Sequence, residues 1–299
     1  MQLHPLSSLP PLPPLRLAVV GHIEWVSFIG VERLPAAGSI SHANTFLEEP
    51  AGGGAVVAVQ LARLTGQRVS FFTALGRDAI GRQSADRLTA LGLDLQVAWR
   101  DGPSRRGVSF VDASGERTIT VIGDRLTPGA ADPLDWRQLA ACDGAFITAA
   151  DVAALKICRQ ARWLGATPRV RLAVLQAAGI GLDALIGSGL DPGEAVPAGA
   201  LDPAPLLRLA TEGARGGLAT PGGRFAAPEL PSPLVDSYGC GDSFAAGITA
   251  GMAAGWSVEQ AVSLGCHCGA ACAGGLGPYT SQLRLAGVGG MGQVEAAGL

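Results

Sequence analysis

Residues Asp236 to Asp242 read DSYGCGD and run straight into SFAAG. Leu234 and Val235 read as the end of a strand, Gly239 and Gly241 bracket Cys240, and the apolar spacing that follows predicts a helix over 242–255. Glycines at such a turn let the backbone take conformations closed to other residues. The first N–H groups of a helix lack internal partners and the helix dipole is positive there, so the turn is a candidate site for a phosphoryl group in transfer. Asp242, in the first helical turn, stays ionised and is placed to take a proton from a hydroxyl bound beside it. The same residues would also serve as an ordinary glycine-rich helix start, and the segment alone leaves both readings open.

Composition narrows the chemistry. The chain has 299 residues, 48% hydrophobic and 16% charged, with a formal net charge of -3, so it can bury a large core and lacks the basic excess of a nucleic-acid binder. No run of about 20 uncharged apolar residues predicts a membrane span. Lys156 is the only lysine. There is no GxxxxGK[ST] for a P-loop, and no lysine in a strand context for a protein kinase. A Schiff-base enzyme would have to use Lys156, which sits in what reads as an ordinary helix. Six scattered cysteines without a CxxC, and a proline-broken start without a leader pattern, lead us to expect free thiols and a cytoplasmic protein.

The elements that must position Asp242 alternate. Strands are predicted at 16–21, 68–75, 145–148 and 171–175, and helices at 53–64, 80–91 and 152–164. That is the pattern of a parallel sheet with crossover helices. Two stretches interrupt it. Residues 40–48 read as an extended strand. Residues 105–122 read as a hairpin turning at DASG, with Val108 and Phe110 facing Ile119 and Val121. Such inserted strands serve as a lid over a site or as an edge for pairing with a second copy of the chain. Ser257 to Gln260 (SVEQ) matches a capping box and predicts a last helix to 273, packed beside the one after Asp242. The Pro-rich residues 1–15 are expected to be disordered and 286–299 to form a loose tail.

DSYGCGDSFAAG resembles the DTxGAGDxFxAG signature of the PfkB/ribokinase carbohydrate kinase family. Other segments follow that family's order: Gly52, Gly53 and Gly54 before a helix, FFTALGRDAIGRQ at 71–83, and TEGARGG at 211–217. The resemblance covers residues 16 to 285. It implies an α/β, ribokinase-like three-layer sandwich, with a mostly parallel central sheet, helices on both faces and a small β lid at about 27–50 and 104–122. It implies ATP with Mg²⁺, and phosphoryl transfer to a hydroxyl of a sugar, nucleoside or polyol. Carried over by position, Asp242 is the base. Gly239, Cys240 and Gly241 form the anion hole, Thr211, Gly213 and Gly216 lie by the nucleotide, and Gly52 and Gly53 lie by the acceptor. The lid strands are also a candidate homodimer contact.

The departures concern the acceptor and the metal. The family's G-x-x-N-x-D reads Gly21-His22-Ile23-Glu24-Trp25-Val26 here, and its Asn after the glycine pair is Val57. His22, Glu24 and Trp25 are the residues available to rebuild the grip, as carboxylate, donor and aromatic face; the alternative is that His22 and Glu24 merely cap a strand end. The family's metal-associated N-x-x-E is altered too, and Asp191 and Glu194 in DPGE are the candidates, unless this is only a turn. Arg105, Arg106 and Arg117 flank the hairpin, as contacts for an acceptor anion or as a solvated edge. Cys266, His267, Cys268 and Cys272 read as close-packed thiols rather than a zinc site. The rival function is an inactive relative that binds a nucleotide or metabolite as a regulator.

Overall fold

Short apolar strands with two buried faces make the centre of the molecule. In β1 (Leu17–Val20), Leu17 and Val19 enter one core cluster while Ala18 and Val20 enter the other; in β8 (Gly144–Ile147), Phe146 and the pair Ala145 and Ile147 divide the same way. A strand buried on both faces needs helices on both sides of its sheet. The computed structural model, which describes residues 1–285, has that arrangement.

In chain order the remaining elements are β2 (Glu24–Gly30), β3 (Thr45–Ala51), α1 (Gly53–Thr65), β4 (Val69–Gly76), α2 (Ala79–Ala90), β5 (Leu93–Arg100), β6 (Arg106–Val111) and β7 (Arg117–Ile122). After β8 come α3 (Val152–Cys158), β9 (Trp163–Ala166), α4 (Leu172–Ala178), β10 (Ala184–Ser188), β11 (Leu207–Thr211), β12 (Gly217–Thr220), β13 (Gly223–Phe225), α5 (Cys240–Ala253) and α6 (Val258–Cys272). The nine-stranded sheet has the order β13-β12-β11-β10-β9-β8-β1-β4-β5. It is parallel from β11 to β5, and β12 and β13 add an antiparallel edge. α1, α5 and α6 pack on one face, and α3 and α4 on the other. A second sheet, β3-β2-β6-β7, forms the small lid.

Several boundaries differ from those the sequence predicts. The helix expected over 152–164 stops at Cys158, and Trp163–Ala166 is a strand buried on both faces. A short apolar run of that kind has no period that separates strand from helix. The strand expected at 171–175 is the opening of α4, which ends at Gly179 in the left-handed conformation. Residues 234–235 lie outside any strand, and β3 begins at Thr45 rather than at 40. In the β6–β7 hairpin, Val108 pairs with Thr120 and Phe110 with Thr118, so Ile119 and Val121 occupy the other face. The proline-rich start is also ordered. Met1, Leu3, Leu6, Leu9 and Leu12 pack on the core, and the His4 N–H donates to Ser263 Oγ on α6 at 2.9 Å. The tail expected at 286–299 lies outside the described residues.

α5 and α6 approach closely because glycines face each other. A Cβ on Gly247 would lie 2.6 Å from the Gly265 Cα, and one on Gly251 2.9 Å from the Ala261 Cα. The capping box closes: Gln260 N–H donates to Ser257 Oγ at 3.2 Å and Ser257 N–H to Gln260 Oε1 at 3.0 Å. This contact holds the helix that carries Asp242. Gly247→Val is therefore expected to lose about 1–3 kcal/mol of stability through overpacking, read as a lower thermal midpoint. A variant that melts with the wild type would show that the two helices do not touch there.

Candidate active site

The strand order reverses at β1: β4 and β5 lie on one side of it, β8 to β11 on the other. The carboxyl ends of β1 and β8 therefore open on a crevice, the usual ligand position in such sheets. Gly21 leaves β1 there. A Cβ on it would fall 2.2 Å from Thr148 Oγ1 and 2.9 Å from the Gly54 Cα, so the crossing is passable only to glycine. Next come His22 and Glu24, only 5% and 7% exposed. They do not cap a solvated strand end. Thr148 Oγ1 lies 3.5 Å from His22 Nδ1, and His22 Nε2 lies 3.2 Å from Glu24 Oε1. Arg105 Nε stands 3.5 Å from the same carboxylate oxygen. Burial lowers the His22 pKa, with Arg125 and Arg105 adding to the effect, so the ring is neutral near pH 7. For Glu24 burial acts upward, but the hydrogen bond from His22 and the neighbouring charges outweigh it and leave the carboxylate below its usual range. Trp25 alternates to the other face of β2, so it does not join His22 and Glu24.

Asp242 reaches the crevice from the other side. α5 begins at Cys240, two residues before Asp242, and its cap Gly239 has φ 81°, the left-handed conformation. The preceding loop is tied down by Asp236, whose fully buried carboxylate accepts the N–H groups of Tyr238 at 2.8 Å and Gly277 at 2.9 Å. The Tyr238 hydroxyl in turn accepts the Gly52 N–H at 3.1 Å. A Cβ on Gly53 would lie 2.9 Å from Asp242 Oδ1, while one on Gly52 would lie 3.3 Å from both Glu24 Cγ and His22 Cδ2. The glycine pair thus stands between Asp242 and the His22–Glu24 pair and touches both. Gly241 has no positive φ, and no atom lies within 4 Å of where its Cβ would be. Open space therefore adjoins the start of α5, where helix N–H groups lack internal partners.

The Asp242 carboxyl is pushed up to about 6, first by burial and then by the charge of Glu194, with Arg117 and Arg169 pulling the other way. Glu194 and Asp191 both pair with Arg169, Glu194 Oε1 at 2.6 Å from Nε, and Glu194 Oε2 accepts the Ser188 N–H at 2.8 Å. Among the described residues no group of three or more His, Cys, Asp or Glu side chains is arranged to grip an ion directly. Glu194 and Asp242 nevertheless repel one another across the crevice, and a hydrated divalent cation, bound mainly through its waters, would relieve that repulsion. The residues present fit Mg²⁺ in that outer role. Thr211 ends β11, and Gly213 follows with φ 60° and open space around it. Gly216, φ 82°, has backbone where a Cβ would be, 2.0 Å from the Phe225 carbonyl, so its place is structural. A cavity of about 390 Å³ lies on the sheet face away from α5, lined by Leu185, Arg208, Ala210 and Leu218, and borders Asp191 and Glu194. It exists because the β10–β11 crossover carries only a short 3₁₀ turn and no helix, and it includes neither Thr211 nor Gly213.

Arg117 reaches across from the lid and donates to Ser237 Oγ at 2.6 Å, so it is not a free strand edge. Arg106 is exposed. Residues that sequence reasoning passed over are Thr148, Arg125, Arg169 and Tyr238. Three of these sit in irregular segments at the carboxyl edge of the sheet, where no period marks them; only the position of Thr148 directly after a strand could have pointed to it.

The pfkB family carbohydrate kinase model matches residues 15–170 and 205–284. The unmatched stretch holds α4, β10, Asp191 and Glu194. The chain is 28% identical over 280 residues to an ATP-dependent ribose-1-phosphate kinase of Halopiger xanaduensis, covering 87% of this chain and 92% of that one. Its fold matches ribokinase from Giardia lamblia with a TM-score of 0.73 at 15% identity, over 91% and 97% of the two chains. It also matches ribokinase from Cryptococcus neoformans var. grubii serotype A in complex with ADP, TM-score 0.69 at 20% identity, over 92% and 99%. With the family model covering most of its length and its structure built on the same two sheets, this chain belongs to the pfkB family of carbohydrate kinases.

Proposed function

We propose that the chain transfers the γ-phosphoryl group of ATP to a hydroxyl of a sugar or a related small molecule. The observation that carries this is the meeting of Asp242 with the start of α1 at Gly53, beside the open start of α5. Asp242 takes the proton from the acceptor hydroxyl. The N–H groups at Gly241 and Asp242 hold the phosphoryl group as charge develops on it. His22 and Glu24 grip the acceptor on its far side, which keeps its hydroxyl within reach of the base. Thr211 and Gly213 lie at the nucleotide side. Mg²⁺, held through Asp191 and Glu194, would offset the charge of the nucleotide phosphates. The relatives named for ribose 1-phosphate and ribose, and the ADP found with one of them, support a sugar-like acceptor and ATP as donor.

Asp242→Asn is expected to lower turnover about 10²–10⁴-fold, the range for losing a general base. The pKa near 6 sets the sign of the pH profile. The base works only when ionised, so log(kcat/KM) should fall as pH drops through about 6, and the limb should vanish in Asp242→Asn. A flat wild-type profile, or equal turnover by the variant, overturns Asp242 as the base, whereas absence of turnover with every acceptor favours a protein that binds a metabolite without catalysis. Gly241→Val tests the anion space separately. The residue has a helical φ and room for a side chain, so the variant should melt like the wild type while losing turnover. Unchanged kinetics would rule out a phosphoryl group at the start of α5.

A further inference from the structure

A cation of the chain's own already sits on the two carboxylates at the metal side of the crevice. Asp191 and Glu194 each rest one oxygen on the backbone: the Gly193 N–H donates to Asp191 Oδ1 at 2.8 Å and the Ser188 N–H to Glu194 Oε2 at 2.8 Å. The two oxygens left over, Asp191 Oδ2 and Glu194 Oε1, are both taken by Arg169, through Nη2 and through Nε, the latter at 2.6 Å. The fold prepares this. Glycine at 187 leaves room for Glu194 to lie back across β10, since a Cβ there would fall 2.7 Å from Glu194 Oε2 and 2.9 Å from Pro168 Cδ. Thr167 Oγ1 accepts the Arg169 N–H at 3.3 Å, and Arg125 Nη1–H donates to the Arg169 carbonyl at 2.7 Å, so the backbone beneath the guanidinium is fixed. The Arg169 side chain is 53% exposed and that of Glu194 only 10%. The arginine has room to swing and the carboxylate has not.

This group acts on the base across the crevice, Glu194 by pushing the Asp242 carboxyl up and Arg169 by pulling it down. Two carboxylates and one guanidinium leave one negative charge. A divalent ion added with Arg169 in place would turn the group positive. Arg125 and Arg171, which line a cavity of about 330 Å³ with Arg169, add like charge beside it. One charge within about 4–6 Å changes the stability of another by the equivalent of one to three pKa units. A divalent ion, or the water shell through which it is held, also needs the oxygens that Arg169 occupies. The guanidinium and the ion therefore compete for the same two atoms. A polyphosphate changes the balance, because it offers the guanidinium a bidentate anion in place of the carboxylates. We propose that Arg169 is a built-in counter-cation: it keeps Asp191 and Glu194 closed to a divalent ion, and it releases them by turning to the phosphates of the nucleotide. The nucleotide rests on the kinase reading above; the competition at the carboxylates does not.

The experiment needs no turnover. Binding of Mn²⁺ alone to the full chain is followed by electron paramagnetic resonance, and binding of metal-free ATP by calorimetry. Arg169→Gln should bind Mn²⁺ about 10-fold or more tightly than the wild type, the worth of one like charge at that range. The same variant should bind metal-free ATP about 10–100-fold more weakly, the worth of a charge-assisted hydrogen bond. Arg169→Lys keeps the charge and should bind Mn²⁺ as the wild type does. Adding Glu194→Gln to Arg169→Gln should abolish the gain, which locates the ion at this pair. Half-exposed ion pairs contribute little stability, and the bonds that fix residue 169 are made by its backbone, so all variants should melt close to the wild type. An ion pair that only braces the turn predicts the opposite for the metal, since its loss would loosen the carboxylates. Mn²⁺ affinity that fails to rise in Arg169→Gln, that rises equally in Arg169→Lys, or that keeps its gain after Glu194→Gln overturns the proposal. So does an affinity for ATP that Arg169→Gln leaves unchanged. If the wild type binds no ATP, the kinase reading falls and the release step with it, and the Mn²⁺ series alone decides whether Arg169 competes for the carboxylates.

Discussion

No side chain fits between Asp242 and the start of α1. The Asp242 carboxylate lies where a Cβ on Gly53 would be crowded at 2.9 Å, and that closeness brings the N-terminal ends of α1 and α5 to one point. Both ends carry partial positive charge. Together they make a partly buried carboxylate and a nearby anion tolerable in the same space. Much of the surrounding structure serves this approach. Gly247 and Gly265 let α5 settle on α6, Gly21 lets β1 pass Thr148 and Gly54, and the Asp236 carboxylate ties the loop before α5 to Gly277. Those two N–H donors offset part of the cost of burying the Asp236 carboxylate, whose pKa burial still pushes up.

The charges around Asp242 oppose one another. Glu194 and Glu24 push its pKa upward, Arg117 and Arg169 pull it down, and burial decides the outcome at about 6. A carboxylate at its ordinary pKa is a weak base at neutral pH, and one pushed up to about 6 accepts a proton more readily while remaining mostly ionised. Arg169 has a double place in this balance. It pairs with Glu194 and Asp191 and so keeps them from raising Asp242 further. A cation entering beside Glu194 would act in the same direction as Arg169, which links Glu194 to Asp242 through charge without contact between them.

The fold was readable where a local rule and the global architecture agree. Gly53 with the apolar run behind it, the SVEQ cap, and the DASG turn each mark an element that the structure contains. The helix–strand boundary at Cys158 and Trp163 was not readable, because a strand covered on both faces has no polar side to show its period. The N-terminal segment misled for another reason. Its prolines leave only a short 3₁₀ turn at Leu6–Ser8, yet Leu3, Leu6, Leu9 and Leu12 pack partly buried against the core. In the site, Asp242 and its glycines were legible because they are contiguous. Arg125, Arg169 and Thr148 were not, since the crevice assembles them from separate loops at the edge of the sheet.

The two acceptor groups that the family pattern leads one to expect are replaced by Val26 and Val57, and both valines are fully buried in the core. Polar side chains stand nearby all the same, in His22 and Glu24. Glu24 lies on the same face of β2 as Val26, two residues nearer the sheet, since a Cβ on Gly107 would touch Glu24 Oε2 at 3.5 Å and Val26 Cγ2 at 3.3 Å. Glu24 and Arg105 belong to the lid end, while Asp242, Arg169 and Arg171 belong to the main sheet and its helices. The Arg117–Ser237 bond joins the lid to the loop that starts α5. The lid and the start of α5 are therefore mechanically one problem: whatever shifts the lid pulls on the loop that holds Asp242.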